Sequence, residues 1–149
     1  MRLRSLVPVI LAAALVPAVC GAQTHKSKPP KRPNPAGKYE KVTTAQALVE
    51  APKLDKSLLP MQKKYNAALA KLHRKPKDKA VRTAFSTEAY TYGHTIMLDR
   101  GKLPPPIQYR AALALFRTAL VANPSNKPAK QDKDLIESIY KSMGMGIPK

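Results

Sequence analysis

YRAALALFRTALVANPSN, residues Tyr109 to Asn126, is the stretch that decides the fold. Ala112, Phe116, Ala119 and Pro124 stand in it at steps of four, three and five. Steps of three and four return to the same side of a helix, so the first three positions place small, large and small residues on one face. The small positions let a neighbouring helix approach closely, and Phe116 fills the space between them. Pro124, preceded by Asn123, stops the helix from continuing.

Helical patterning continues on both sides. Downstream, Asn126 or Ser125 caps a helix with Pro128 in its first turn. Leu135, Ile136, Ile139, Tyr140 and Met143 form its apolar stripe, and Gly144 ends it as a C′ residue. Upstream, Asp78 caps a segment running KAVRTAFSTEAYTYGHTIMLDR, with Val81, Ala84, Phe85, Ala89, Tyr92 and Ile96 on one side. Gly101 and prolines 104 to 106 separate it from the quoted helix. Before it, Ser57 is the expected cap of a helix with Pro60 in its first turn and a face of Met61, Tyr65, Ala68, Leu69 and Leu72, ended by Pro76. A weaker segment, TTAQALVEA, opens with Thr43 and Gln46 at capping-box spacing. No stretch alternates with period two over a useful length, so the fold class is all-α, built of antiparallel helix pairs.

The order Ala112, Phe116, Ala119, Pro124 resembles the second helix of a tetratricopeptide repeat, whose pattern ends A-x3-F-x2-A-x4-P. Tyr140 and Gly144 keep the separation such a repeat shows between its first-helix aromatic and its turn glycine. Tyr92-Gly93 resembles the large-then-glycine pair of a first helix, where glycine lets two helices cross closely. Tyr65, Ala68, Leu72 and Pro76 partly echo Tyr109, Ala112, Phe116 and Pro124. Departures accompany the match: KLPPPIQ lengthens one turn, the Leu72-to-Pro76 step is short, and the chain has no Trp. One helix pair fits and its flanks are degenerate. A generic antiparallel bundle is the alternative architecture. The resemblance implies a binding scaffold that holds a protein or peptide in the groove between first helices, here Thr83–Asp99 and Lys133–Met143.

Residues 1–22 read as a secretory signal. Arg2 and Arg4 supply a positive start, LVPVILAAALVPAV is an apolar run of the expected length, and Cys20-Gly21-Ala22 ends in small residues suited to cleavage after Ala22. The run is shorter than the ~20 residues of a membrane span. Cys20, the single cysteine, admits a second reading as a lipoprotein cysteine, against which stand Val19 and Pro17 at positions where small residues and Leu are usual. No internal cysteine pair can support the fold. Residues 23–42, with Pro29, Pro30, Pro33 and Pro35 and almost nothing apolar, read as a disordered, basic spacer. Residues 43–149 form the helical domain.

The formal charge is +18. Such a field attracts polyanions without specifying one, and an exported chain makes nucleic acid a poor candidate. The densest cluster is Lys71, Arg74, Lys75, Lys77, Lys79 and Arg82, broken only by Asp78. It bridges two helices next to a helix N-terminus, which itself favours anions, and so reads either as an anion-docking turn or as a solvated loop.

Signals of chemistry are missing. His25 lies in the spacer, His73 in a basic run, and His94 has no second ligand at i+3 or i+4 and reads as a surface or interhelical residue. The sequence contains no HExxH, CxxC, G-x-S-x-G or phosphate-binding glycine loop. Glu88 and Asp99 would stand ~16 Å apart along one helix, too far for paired acid–base work. Asp132, Asp134 and Glu137 favour the positive end of the last helix. The expectation is an exported, non-catalytic protein without cofactor or metal, binding a protein or peptide. The rival expectation is an electrostatic adaptor that holds an anionic envelope polymer or membrane surface through the 71–82 turn and the spacer.

Overall fold

In a computed structural model the described residues are 37–99 and 101–149. The expected signal segment, Cys20, His25 and most of the expected spacer lie outside them. Five α-helices follow in order: α1 (Thr44–Leu54), α2 (Leu59–Arg74), α3 (Lys79–Met97), α4 (Pro105–Ala122) and α5 (Lys127–Ser142). Among the described residues none forms a strand, and the fold class is all-α.

Most boundaries follow from caps. Thr43 and Gln46 form the capping box that opens α1. Asp78 accepts from the amides of Ala80 and Val81 to start α3, and Asn126 accepts from Ala129 to start α5. Gly144 (φ 67°) closes α5 in a Schellman turn: its amide donates to the Lys141 carbonyl and the Met145 amide to that of Tyr140. Ser57 does not cap α2. Asp55 takes that part of the chain: its carboxylate accepts from the Ser57 amide (3.0 Å) and hydroxyl (2.7 Å), closing a 3-10 turn at Lys56–Leu58 that runs directly into α2. Pro105 and Pro106, expected in a loop, are the first residues of α4, where a missing amide costs no intrahelical bond.

The core is organised around α4. Ala111, Ala112, Leu113, Leu115 and Phe116 are all fully buried, and consecutive buried positions mean burial on several faces rather than one. α3, α1 and α5 each pack against it. α3 and α5 reach α4 as neighbours in sequence, whereas α1 bypasses α2 to lie on α4. α2 packs chiefly against α3, and none of its residues is buried; the expected face of Met61, Tyr65, Ala68, Leu69 and Leu72 is half-covered. On α3 the buried face is Phe85, Ser86, Ala89, Tyr92, Gly93 and Ile96; Val81 is half-buried and Ala84 exposed. On α5 only Ile136 and Tyr140 of the expected stripe are buried, with Leu135 and Met143 facing solvent.

Polar side chains fasten the helices. The buried Ser86 hydroxyl donates to the Ala119 carbonyl (2.8 Å) and accepts from Asn126 Nδ2 (2.9 Å), tying α3 to α4 and to the start of α5. Gln108 of α4 donates to the carbonyls of Met97 and Asp99, satisfying the end of α3. Residues 37–42 belong to the folded unit: Tyr39 and Val42 pack on the core, and their carbonyls accept from Arg110. The C-terminal tail is fixed too, through Arg117 to the Pro148 carbonyl and Thr44 to that of Lys149.

Close approach is concentrated at Gly93. A Cβ there would stand 2.8 Å from Phe116 Cε1 and 3.0 Å from Leu115 Cβ. Beside it, Tyr92 is buried with no hydrogen-bond partner for its hydroxyl among the described residues, and burial pushes its pKa up to about 12. Two substitutions in this pair therefore act in opposite directions. Gly93→Ala gains about 1 kcal/mol of helix propensity but overpacks the α3–α4 contact by roughly 1–3 kcal/mol, a net loss in urea denaturation. Tyr92→Phe removes a buried, unsatisfied hydroxyl and raises the unfolding free energy by about 1 kcal/mol in the same assay.

Candidate functional site

The basic cluster expected to dock anions is split by the fold. Lys77, Lys79 and Arg82 line one depression of about 340 Å³ with Thr83, Ala122, Asn123 and Pro124. Lys71 lies elsewhere, beside Ala80, Ala84 and Glu88 along the α2–α3 seam. Arg74 and Lys75 are exposed on the turn itself.

Arg82 is committed locally. Its Nε donates to the Ala122 carbonyl (2.9 Å) and its Nη2 to that of Val121 (3.2 Å), so it caps the C-terminal end of α4. Lys77 and Lys79 border the same end, where the helix dipole is negative and cations are stabilised. Part of this positive charge therefore serves the fold. Asp78, the acidic residue within the cluster, is engaged as the α3 cap.

Adjoining the turn is an apolar trough of about 550 Å³. Leu69, Leu72 and His73 of α2 form one wall, and Thr118, Val121 and Ala122 of α4 the other. Buried Phe85 of α3 stands between the walls, and Pro76 and Arg82 close the end next to the cations. Val121 is 78% exposed, the most open large hydrophobic side chain among those described. The trough exists because α2 and α4 both pack on α3, leaving the α2 stripe half-covered.

The α3–α5 line, where the repeat resemblance places a ligand groove, carries a bridge. His94 Nδ1 lies 2.7 Å from Asp132 Oδ2, and the Tyr90 ring rests between His94 (5.4 Å) and Phe116 (5.9 Å). Burial, together with the Asp132 charge, raises the Tyr90 pKa. Asp132 thus pairs across helices instead of serving the dipole of α5. Glu137 likewise reaches Arg117 of α4 and Lys133. Lys133 also bonds Asp134 at 2.6 Å, which raises the ammonium's pKa and lowers that of the carboxyl. Of the other separated carboxylates, Asp99 accepts from the Leu103 amide and holds the α3–α4 loop.

The residues that carry the repeat resemblance divide between packing and turns. Ala112, Phe116 and Ala119 are fully buried on α4, Tyr140 is buried on α5, Pro124 is exposed after α4, and Gly144 forms the turn. Ser86 is buried although a serine carries no apolar signal in the sequence, and Gly93 makes the close helix crossing that the Tyr92-Gly93 pair implied. A second concavity, about 400 Å³, opens between the start of α4 and the end of α5 and is lined by Pro105, Pro106, Tyr109, Ile139, Tyr140 and Met143.

Among the described residues no group of three or more His, Cys, Asp and Glu is placed to hold a metal ion. No described helix is long and apolar enough to cross a membrane. Searches of protein-family models, curated proteins and solved structures find no match to this chain.

The division of labour within the cluster has a measurable consequence. Arg82→Met should lower the unfolding free energy by about 1.5–3 kcal/mol, the usual worth of hydrogen bonds from a charged donor. Lys77→Ala should change it by no more than about 0.5 kcal/mol. Urea denaturation of the two variants tests the distinction.

Proposed function

We propose that this chain is an exported, non-catalytic binding scaffold of tetratricopeptide-like type that holds a protein or peptide segment in the trough between α2 and α4, and not along the α3–α5 line implied by the resemblance, which the His94–Asp132 bridge crosses. The observation that carries the reading is the pairing of an uncovered apolar trough with a cationic rim. An amphipathic segment laid between the walls would cover Leu69, Leu72 and Val121, and its acidic flank would meet Arg74, Lys75 and Lys77. Apolar anchoring supplies affinity that salt does not remove, and charge supplies steering and orientation. The charged start and apolar run of residues 1–22 support export.

The α2–α3–α4–α5 order of packing supports the repeat resemblance, as does the close seat of Gly93 on Phe116. α1 departs from it, since a stack of repeats sets each helix beside its sequence neighbours. A second reading draws on Arg74 and Lys75, which are exposed and form no ion pair among the described residues. It makes the protein an electrostatic adaptor for an anionic polymer or membrane surface.

Recovery of partners from an envelope extract of its own cells separates the two, with washes at low and moderate salt. The scaffold reading expects a discrete protein that stays through the moderate-salt wash and is lost with Val121→Asp, an exposed position whose change leaves the fold intact. Mixed polyanions that wash away, and that are lost with the triple charge reversal Arg74→Glu, Lys75→Glu, Lys77→Glu, would establish the adaptor instead. That outcome follows from screening over a Debye length of about 8–10 Å.

A further inference from the structure

The walls of the trough are the last turns of α2 and α4, and its floor is the first two turns of α3. From Leu69 to His73, or from Thr118 to Ala122, a helix rises roughly 6 Å at 1.5 Å per residue, which admits two side chains one turn apart. Among the described residues no carboxylate lines the trough. Both walls are helical and offer no sheet edge. An extended peptide would set its amides and carbonyls against apolar side chains without partners, whereas a helix satisfies its own.

Charge gathers at the end closed by Pro76 and Arg82. The depression that holds Lys77 and Lys79 shares Arg82 and Ala122 with the trough, so the two adjoin. Arg74, Lys75, Lys77 and Lys79 are exposed there and form no ion pair among the described residues. Two effects oppose them. α2 and α4 both end at this place, each contributing about −0.5 of a charge, and Asp78 contributes a full one. Arg82 offsets part of this by donating to the Val121 and Ala122 carbonyls. Four full positive charges outweigh the remainder, and the end stays positive.

A second copy of this chain is a poor occupant. Lys53, Arg74 and Lys141 stand in the last turns of α1, α2 and α5, and the ends of α3 and α4 are engaged by Gln108 and Arg82. Resting on the scaffold reading above, we propose that the trough takes the C-terminal end of an amphipathic helix from a different, acidic protein. Two apolar side chains four residues apart lie among Leu69, Leu72 and Val121, and acidic residues in the following turn lie over Lys77 and Lys79. In this direction the negative end of the occupant's dipole adds to its carboxylates. The reversed helix would bring its positive end to the lysines.

The experiment uses the full chain and three dye-labelled peptides held helical by the same lactam staple. One carries leucines at i and i+4 followed by three Glu in its last turn, the second carries the three Glu in its first turn, and the third has Gln in their place. Glu in a last turn weakens a free helix, so circular dichroism first checks that helicity is equal. Binding is read by fluorescence anisotropy at low and moderate salt. The first peptide should bind about tenfold more tightly than the second at low salt, the combined worth of a few exposed charge pairs, and the gap should narrow at moderate salt. Lys77→Glu with Lys79→Glu should erase that preference and leave the affinity of the Gln peptide unchanged. Both positions are exposed, and Glu suits the start of α3. Val121→Asp should weaken all three. Equal binding of the two acidic isomers, or tighter binding of the second, overturns the direction while the scaffold reading stands. Equal binding of an unstapled, proline-interrupted first peptide overturns the helix. A dimer in sedimentation that Val121→Asp dissociates makes a second copy the occupant instead. Failure of all three peptides to bind overturns the assignment, and the scaffold reading then stands or falls on the partner recovered from the extract.

Discussion

The architecture depends on how closely α3 is allowed to approach α4. Gly93 has no side chain, and the Phe116 ring occupies the space a Cβ would need. That seat sets the crossing of the two longest helices, and the rest is arranged around the result. Alanines at 111, 112 and 119 keep α4 slender enough to be buried on several sides. α1 then fits against α4 although α2 follows it in the chain. Close packing of this kind tolerates little adjustment, because protein interiors are near crystal density. Ser86 adds direction to it: a hydroxyl bonded to both Ala119 and Asn126 fixes the register of three helices at once.

The sequence made the five helices legible through caps and periodicity. Thr43, Asp78, Asn126 and Gly144 act where local hydrogen-bond chemistry alone would put them. Ser57 misled because two acceptors compete there, and the Asp55 carboxylate is the stronger. The prolines before Ile107 misled because proline both ends loops and begins helices, and only the packed neighbour shows which applies. Long-range arrangement was not legible. A helix buried on one face and a helix buried on several differ little in pattern when the extra contacts are made by alanine. For the same reason the position of α1 could not be read from its own residues.

The charged cluster was legible as charge and not as geometry. A count of Lys and Arg cannot show that Arg82 spends its guanidinium on two carbonyls, or that Lys71 lies along a different seam. The apolar trough escaped because it is built from the incomplete coverage of α2, which is a property of neighbours. His94 reads as a surface or interhelical residue, and the structure selects the second; its partner Asp132 lies on another helix and could not be named from spacing. Arg110 gave no signal at all, since an arginine four residues after a proline pair looks like an ordinary surface cation.

Helix α4 also serves as a measuring rod between two ends of the molecule. Gly37 and Pro105 line the cleft at one end, while Val121 and Ala122 wall the trough at the other. Seventeen residues of helix rise separate them, roughly 25 Å at 1.5 Å per residue. Gly37, the first described residue, therefore lies at the end of α4 opposite the trough, so the two concavities stand at opposite ends of one helix.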